Sequence, residues 1–163
     1  DQYAVDDFVR TFDHGADCFI ARGLGEEMPG DVINSYDTDY VMRRIRQRFI
    51  ADSTVTIVLM GRCTWARRYV DWEIAASLRN TALSNANGLI GIKLPTFGGF
   101  PPRFDDNLIP YGSSQGDCYA RWLEYPLTQY DLEAAVEAAF QRRQTHAQWI
   151  RNARLRMTNN RPC

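Results

Sequence analysis

The stretch Thr54-Val55-Thr56-Ile57-Val58-Leu59-Met60-Gly61-Arg62-Cys63-Thr64-Trp65-Ala66-Arg67-Arg68-Tyr69-Val70-Asp71-Trp72-Glu73-Ile74 decides the fold. Its first seven residues put apolar side chains on both pleat faces, which is the pattern of a central strand in a parallel sheet. Gly61 ends that strand. A polar loop follows, and over residues 66–80 Val70, Ile74 and Leu78 recur every fourth residue, as on the buried stripe of a helix.

Working outward, the alternation of helices with short apolar strands persists. Residues 89–94 and 119–123 read as strands, and so does the short run Cys18-Phe19-Ile20-Ala21. The chain opens with a helix that aligns Ala4, Phe8 and Phe12, which Gly15 stops. A second helix starts at Asp37 or Thr38 and turns Val41, Met42, Ile45 and Phe49 inward, with its arginines mostly outward. Thr128 with Asp131 three residues on forms a capping-box pattern ahead of Leu132, Val136 and Phe140. A further helix is predicted over residues 147–157. Residues 22–35 hold four glycines or prolines and read as a loop, and residues 95–117 show no periodicity.

This order predicts an α/β fold, a flavodoxin-like doubly wound parallel sheet, in one domain over residues 1–163. Folds of this type open with a strand that lies mid-sheet, whereas this chain opens with a helix. The first central strand is therefore expected before Asp1, outside the chain, unless the sheet is rearranged.

Composition narrows the chemistry. With 163 residues, 45% hydrophobic and 24% charged, the chain can build a full core without a metal or disulfide scaffold. A formal net charge of -1 disfavours general nucleic-acid binding, and no run is long enough for a membrane span. Lys93 is the single lysine among 19 basic residues, and it lies between Ile92 and Leu94, so there is no P-loop. Cys18, Cys63, Cys118 and Cys163 are scattered, and neither they nor His14 and His146 show zinc-ligand spacing, so no metal is expected. The cysteines read as reduced thiols of a cytoplasmic protein.

Ligands of open parallel sheets bind beyond the carboxyl ends of the strands, which points to the residues after Met60. Gly61 allows close backbone approach, Arg62 can fork onto a phosphate, and amides at a helix start favour an anion. Tyr69 and Glu73 are four apart and share a helix face. A carboxylate flanked by Tyr69 and Trp72 is partly desolvated and so suited to chemistry.

Residues 52–78 resemble the Toll/interleukin receptor-like (TIR) domains of the bacterial Thoeris antiphage system. There a strand ending in Leu-x-Gly is followed by Thr, an aromatic-Val pair and Trp-Glu-Ile; here these are Leu59-Met60-Gly61, Thr64, Tyr69-Val70 and Trp72-Glu73-Ile74. Broader TIR enzymes carry Trp-x-x-x-Glu, and Tyr69 stands at the Trp position. The resemblance implies cleavage of the nicotinamide-ribose bond of NAD, with Glu73 catalytic, and rejoining of ADP-ribose into a cyclic signal read by a separate effector protein. Arg62, Cys63, Thr64, Tyr69 and Trp72 become substrate-binding candidates, with Trp65 as another ring able to stack. Arg22 lies where TIR domains have a variable binding loop and is a further candidate. NAD enters as substrate and not as cofactor, in a cytoplasmic protein that self-assembles on activation.

Plainer readings stand beside these. A glutamate on a surface helix is usually solvated, and Trp65 and Trp72 are large enough to serve as packing residues. Cys63 fills space, Arg62, Arg67 and Arg68 can form a hydrated patch, and Ser35 and Asp37 are helix caps first. His14 and His146 receive no role. As a whole, the chain can also be a TIR-fold interaction module without catalysis, in which Glu73 caps or bridges. A phosphorylated receiver domain is disfavoured, because Met60 stands where the central strand would need Asp.

Overall fold

The computed structural model describes residues 2–12, 30, 34–50, 52–81, 85–108 and 118–163. Among them, three parallel strands pair in the order β1 (Val55–Met60), β2 (Gly88–Lys93) and β3 (Arg121–Glu124). Val55 pairs with Gly88 and Met60 with Lys93, while Ile90 pairs with Arg121. The predicted strands near 55, 89 and 119 therefore exist, within two residues of their expected starts. The strand expected at 18–21 lies outside the described residues, as do Gly15 and Arg22.

Five α-helices accompany this sheet among the described residues: α1 (Gln2–Phe12), α2 (Thr38–Ile45), α3 (Arg68–Ser77), α4 (Pro102–Asp105) and α5 (Gln129–Thr145). Successive β1 side chains face opposite ways, and each face is covered. Ile57 and Leu59 join Phe8 and Phe12 of α1 and Leu132 and Val136 of α5. Val58 and Met60 join Ile74 and Leu78 of α3, Phe104 of α4 and Tyr119. Helices on both faces of a parallel sheet make a mixed α/β, TIR-like fold of the flavodoxin-like class. α2 stays off the sheet and packs Val41, Met42 and Ile45 on Trp72, Ala75 and Ala76.

Local chemistry sets the helix ends. The Asp37 carboxylate accepts from the Tyr40 amide at 3.0 Å, so Asp37 is the cap of α2. At α5, the Thr128 hydroxyl accepts from the Asp131 amide at 3.2 Å, and the Asp131 carboxylate accepts from the Thr128 amide at 3.0 Å. The capping box is formed as read. Phe140, expected inside, is instead 39% exposed, and Ala139 is buried. The reason is the close approach of α5 to β2: a Cβ at Gly88 would stand 2.4 Å from the Ala139 carbonyl oxygen. Only a small side chain fits on that line of the helix.

Two further expectations are corrected. The helix predicted over 147–157 is a single 3-10 turn, Ala147–Trp149, and the chain then runs without helix to its end. Its backbone groups are taken instead by side chains of α3, of α4 and of Asn107 just beyond α4. The cysteines are not all thiols: Cys63 and Cys163 form a disulfide across a sequence separation of 100, with a Cα separation of 5.6 Å, while Cys118 is a buried thiol.

The Tyr119 hydroxyl donates to the Asn87 carbonyl at 2.7 Å, and burial pushes its pKa up to about 12. A tyrosine ionises near 10 in the unfolded chain, so the neutral phenol stabilises the fold fully below that pH and the contribution fades as pH climbs to about 12. Urea unfolding of wild type and Tyr119→Phe across this range is expected to show a steeper alkaline loss in wild type; parallel curves would contradict it.

Candidate functional site

The loop after β1 is tied back to its own strand. The Thr64 hydroxyl accepts from the Gly61 amide at 2.9 Å and donates to the Leu59 carbonyl at 3.3 Å. A 3-10 turn, Thr64–Ala66, then leads into α3. Thr64 thus works as a staple in the turn. The loop after β2 lies directly against it: the Gly98 amide donates to the Gly61 carbonyl, and a Cβ at Gly98 would meet the Arg62 carbonyl oxygen at 2.1 Å. The aperiodic stretch after Pro95 therefore supplies one wall beside the β1 loop.

Helix α3 presents three different surfaces. Val70, Ile74 and Leu78 face the sheet. Trp72 faces α2 and is 2% exposed, its ring edge-on to Tyr69 at 5.5 Å. The Arg68 and Arg156 guanidinium carbons stand 5.5 Å and 4.8 Å from the Trp72 ring centre, and its Nε1 donates to the Met157 carbonyl at 2.7 Å. So crowded an indole is a packing residue, which corrects its reading as a substrate contact. Tyr69 is half-buried, and Arg68 donates to its hydroxyl at 2.9 Å while lying 4.8 Å from its ring centre.

Glu73 is half-buried one turn beyond Tyr69 on the flank between the Trp72 and Ile74 surfaces. The Ser77 hydroxyl donates to the Glu73 carbonyl at 2.8 Å and shares a 2.8 Å hydrogen bond with Thr56 of β1, which fixes this turn against the strand. Arg62 is exposed in the loop, Trp65 is half-buried, and Arg67 is exposed. The structure thus brings Arg62, Thr64, Trp65, Tyr69 and Glu73 together on one loop and the first turns of one helix. Cys63 is there as half a disulfide and not as a thiol. No group of three or more His, Cys, Asp and Glu among the described residues is placed to hold a metal ion.

The sequence alone did not reveal one buried ion pair. Asp71 and Arg103 are each 1% exposed and form a two-pronged ion pair, Nε to Oδ1 at 2.8 Å and Nη2 to Oδ2 at 3.3 Å. Asp71 Oδ2 also accepts from the Met157 amide at 2.8 Å, and Arg103 Nη1 donates to Asn152 Oδ1 at 2.9 Å. The available signal was a carboxylate set between Val70 and Trp72, on a helix whose neighbouring positions are apolar.

The chain after Ile150 continues as a strap along α3. Asn152 donates to the Ala75 carbonyl, Thr158 accepts from the Arg68 guanidinium, Asn160 Oδ1 accepts from the Arg68 amide, and the Arg161 amide donates to the Ala66 carbonyl. The amide at the helix start, read as open to an anion, is thus capped by Asn160.

The family model for the Thoeris protein ThsB, TIR-like domain, matches residues 1–97, which include the strand, the loop and all of α3. The chain belongs to the ThsB TIR-like family. Neither curated proteins nor solved structures matched it. Membership of a Thoeris family gives the chain a role in antiphage defence. Within this ThsB TIR-like domain, no helix of the described residues is long and apolar enough to cross a membrane.

Two carboxylates two residues apart thus differ in burial, Asp71 fully enclosed and Glu73 half-buried. Asp71→Asn leaves the buried Arg103 charge uncompensated and is expected to cost about 3 kcal/mol or more. Glu73→Gln, half-buried on the helix flank, is expected to cost under about 1 kcal/mol. Urea midpoints of both variants check this, and equal losses would contradict the division of roles.

Proposed function

We propose that this TIR-like domain cleaves the bond between nicotinamide and ribose in NAD and rejoins the ADP-ribose into a cyclic signal for antiphage defence. The support is one juxtaposition in a ThsB-family chain: Glu73 and Tyr69 share a helix face one turn apart, on the helix entered directly from the loop at the carboxyl end of β1.

The chemistry suits a carboxylate. Nicotinamide departs as a neutral molecule from a cationic starting state, so no general acid has to protonate it. The remaining ribose carries oxocarbenium character, which the Glu73 carboxylate stabilises or anchors through its hydroxyls. Arg62 pairs with the pyrophosphate, the stapled Thr64 turn holds the loop in place, and Tyr69 offers a ring edge beside the reacting sugar. Keeping ADP-ribose away from water favours ring closure over hydrolysis. In this reading NAD is the substrate and no cofactor takes part. The protein works in the cytoplasm and self-assembles on activation, and a separate effector protein reads the product.

Nicotinamide release from NAD by the full chain tests the proposal. Glu73→Gln is expected to lower turnover by about a hundredfold or more. Unchanged turnover in that variant would remove Glu73 from the mechanism, and no release from the wild type would favour a non-catalytic interaction module.

A further inference from the structure

The Cys63–Cys163 disulfide closes the far end of the strap onto the loop that follows β1. The strap has two unlike halves. Residues 151–157 are anchored in the interior: Asn107 exchanges hydrogen bonds with the backbone of Arg151, Asn152 with Arg103, and Met157 with both Asp71 and Trp72. Residues 158–163 are all exposed. Besides the bridge, they hydrogen-bond to Arg68 and Ala66 through Thr158, Asn160 and Arg161. Such surface hydrogen bonds are individually weak because water competes for every partner. The bridge is the covalent tie of this half.

Cys163 is exposed and Cys63 half-buried, so a thiolate can reach the sulfurs. Where the covered groups lie gives the latch a consequence. The Cys163 sulfur lies 3.7 Å from the Arg62 carbonyl oxygen, and the terminal half occupies the Arg68 amide, the Arg68 guanidinium and the Ala66 carbonyl. These groups stand beyond the carboxyl end of β1, where an open parallel sheet receives its ligand.

We propose that the Cys63–Cys163 bridge is a redox latch: closed, it holds residues 158–163 over the loop after β1 and the start of α3, and a dithiol reductant opens it. The step balances. The dithiol gives two electrons and two protons to the bridge, which parts into two thiols while the dithiol closes to its own disulfide. Release stops at Met157, whose amide and carbonyl remain held by Asp71 and Trp72. The regulatory half of this inference rests on the NAD-cleaving reading and on a reducing cytoplasm, in which a persistent surface disulfide is unusual and those found are mostly redox-active.

Hydrogen exchange on the full chain, oxidised and after dithiothreitol, tests the latch itself. Exchange at the amides of Arg68 and Arg161 is expected to rise about tenfold or more on reduction while Met157 and the β2 amides stay unchanged. Oxidised Cys163→Ser is expected to behave as the reduced wild type. Unchanged protection at Arg161, or loss at Met157 as well, would overturn a local latch. Nicotinamide release in the same samples reads the regulation, with an expected gain of about fivefold on reduction and none in Cys163→Ser. Equal rates in both wild-type states would overturn the regulatory role. Absent release in every sample, with the exchange pattern as expected, would overturn the NAD reading and leave the latch standing.

Discussion

Asp71 and Arg103 lose almost all contact with water, and the cost of removing two charges from solvent is recovered only through their mutual geometry and complete hydrogen bonding. Both conditions hold. The carboxylate spends one oxygen on Arg103 Nε and the other on Arg103 Nη2 and the Met157 amide. Arg103 spends its remaining amino group on Asn152. One pair therefore joins α3, the short α4 and the strap. Without it, the strap would lose its charged anchor and keep Asn107, Ala75 and Trp72 as interior partners, and α3 would lose the contact that fixes its outer side.

The rest of the site follows from that anchoring. The sheet face of α3 is set by Ile74 and Leu78, the α2 face by Trp72 and the outer face by Asp71. With three sides committed, the flank carrying Tyr69 and Glu73 has a fixed direction. Ser77 and Thr56 then tie the turn of Glu73 to β1. At the far end, Arg46 donates to the Ala76 and Ser77 carbonyls and so caps the helix. Burial and then the neighbouring cations Arg143 and Arg79 lower the Arg46 pKa, without threatening its charge at neutral pH.

Much of this was legible in the residues, and the reason is periodicity. β1, β2 and α1 announce themselves because their apolar spacing matches a single regular element, and the caps Asp37 and Thr128 work through contacts three residues away. The buried pair was not legible, because Asp71 and Arg103 are 32 residues apart and neither sits in a motif. The disulfide escaped for the same reason, with 100 residues between its halves. The tail misled for another. Its residues can form a helix locally, but long-range hydrogen bonds to α3 and α4 outcompete the local ones, and Leu155 is left 90% exposed. The placement of Glu73 could be read from its spacing to Tyr69, whereas the packing role of Trp72 needed α2 and the strap to be seen together.

Cleavage of NAD as proposed requires the Glu73 carboxylate to meet the ribose of a bound dinucleotide. The most direct measurement is the side-chain carboxyl carbon resonance of Glu73 in glutamate-labelled protein, assigned by its absence in Glu73→Gln, during titration with a carbocyclic NAD analogue that cannot be cleaved. A saturable shift of that resonance is expected, with the other glutamate carboxyls little changed. A titration that saturates elsewhere in the protein while the Glu73 resonance stays in place would contradict it.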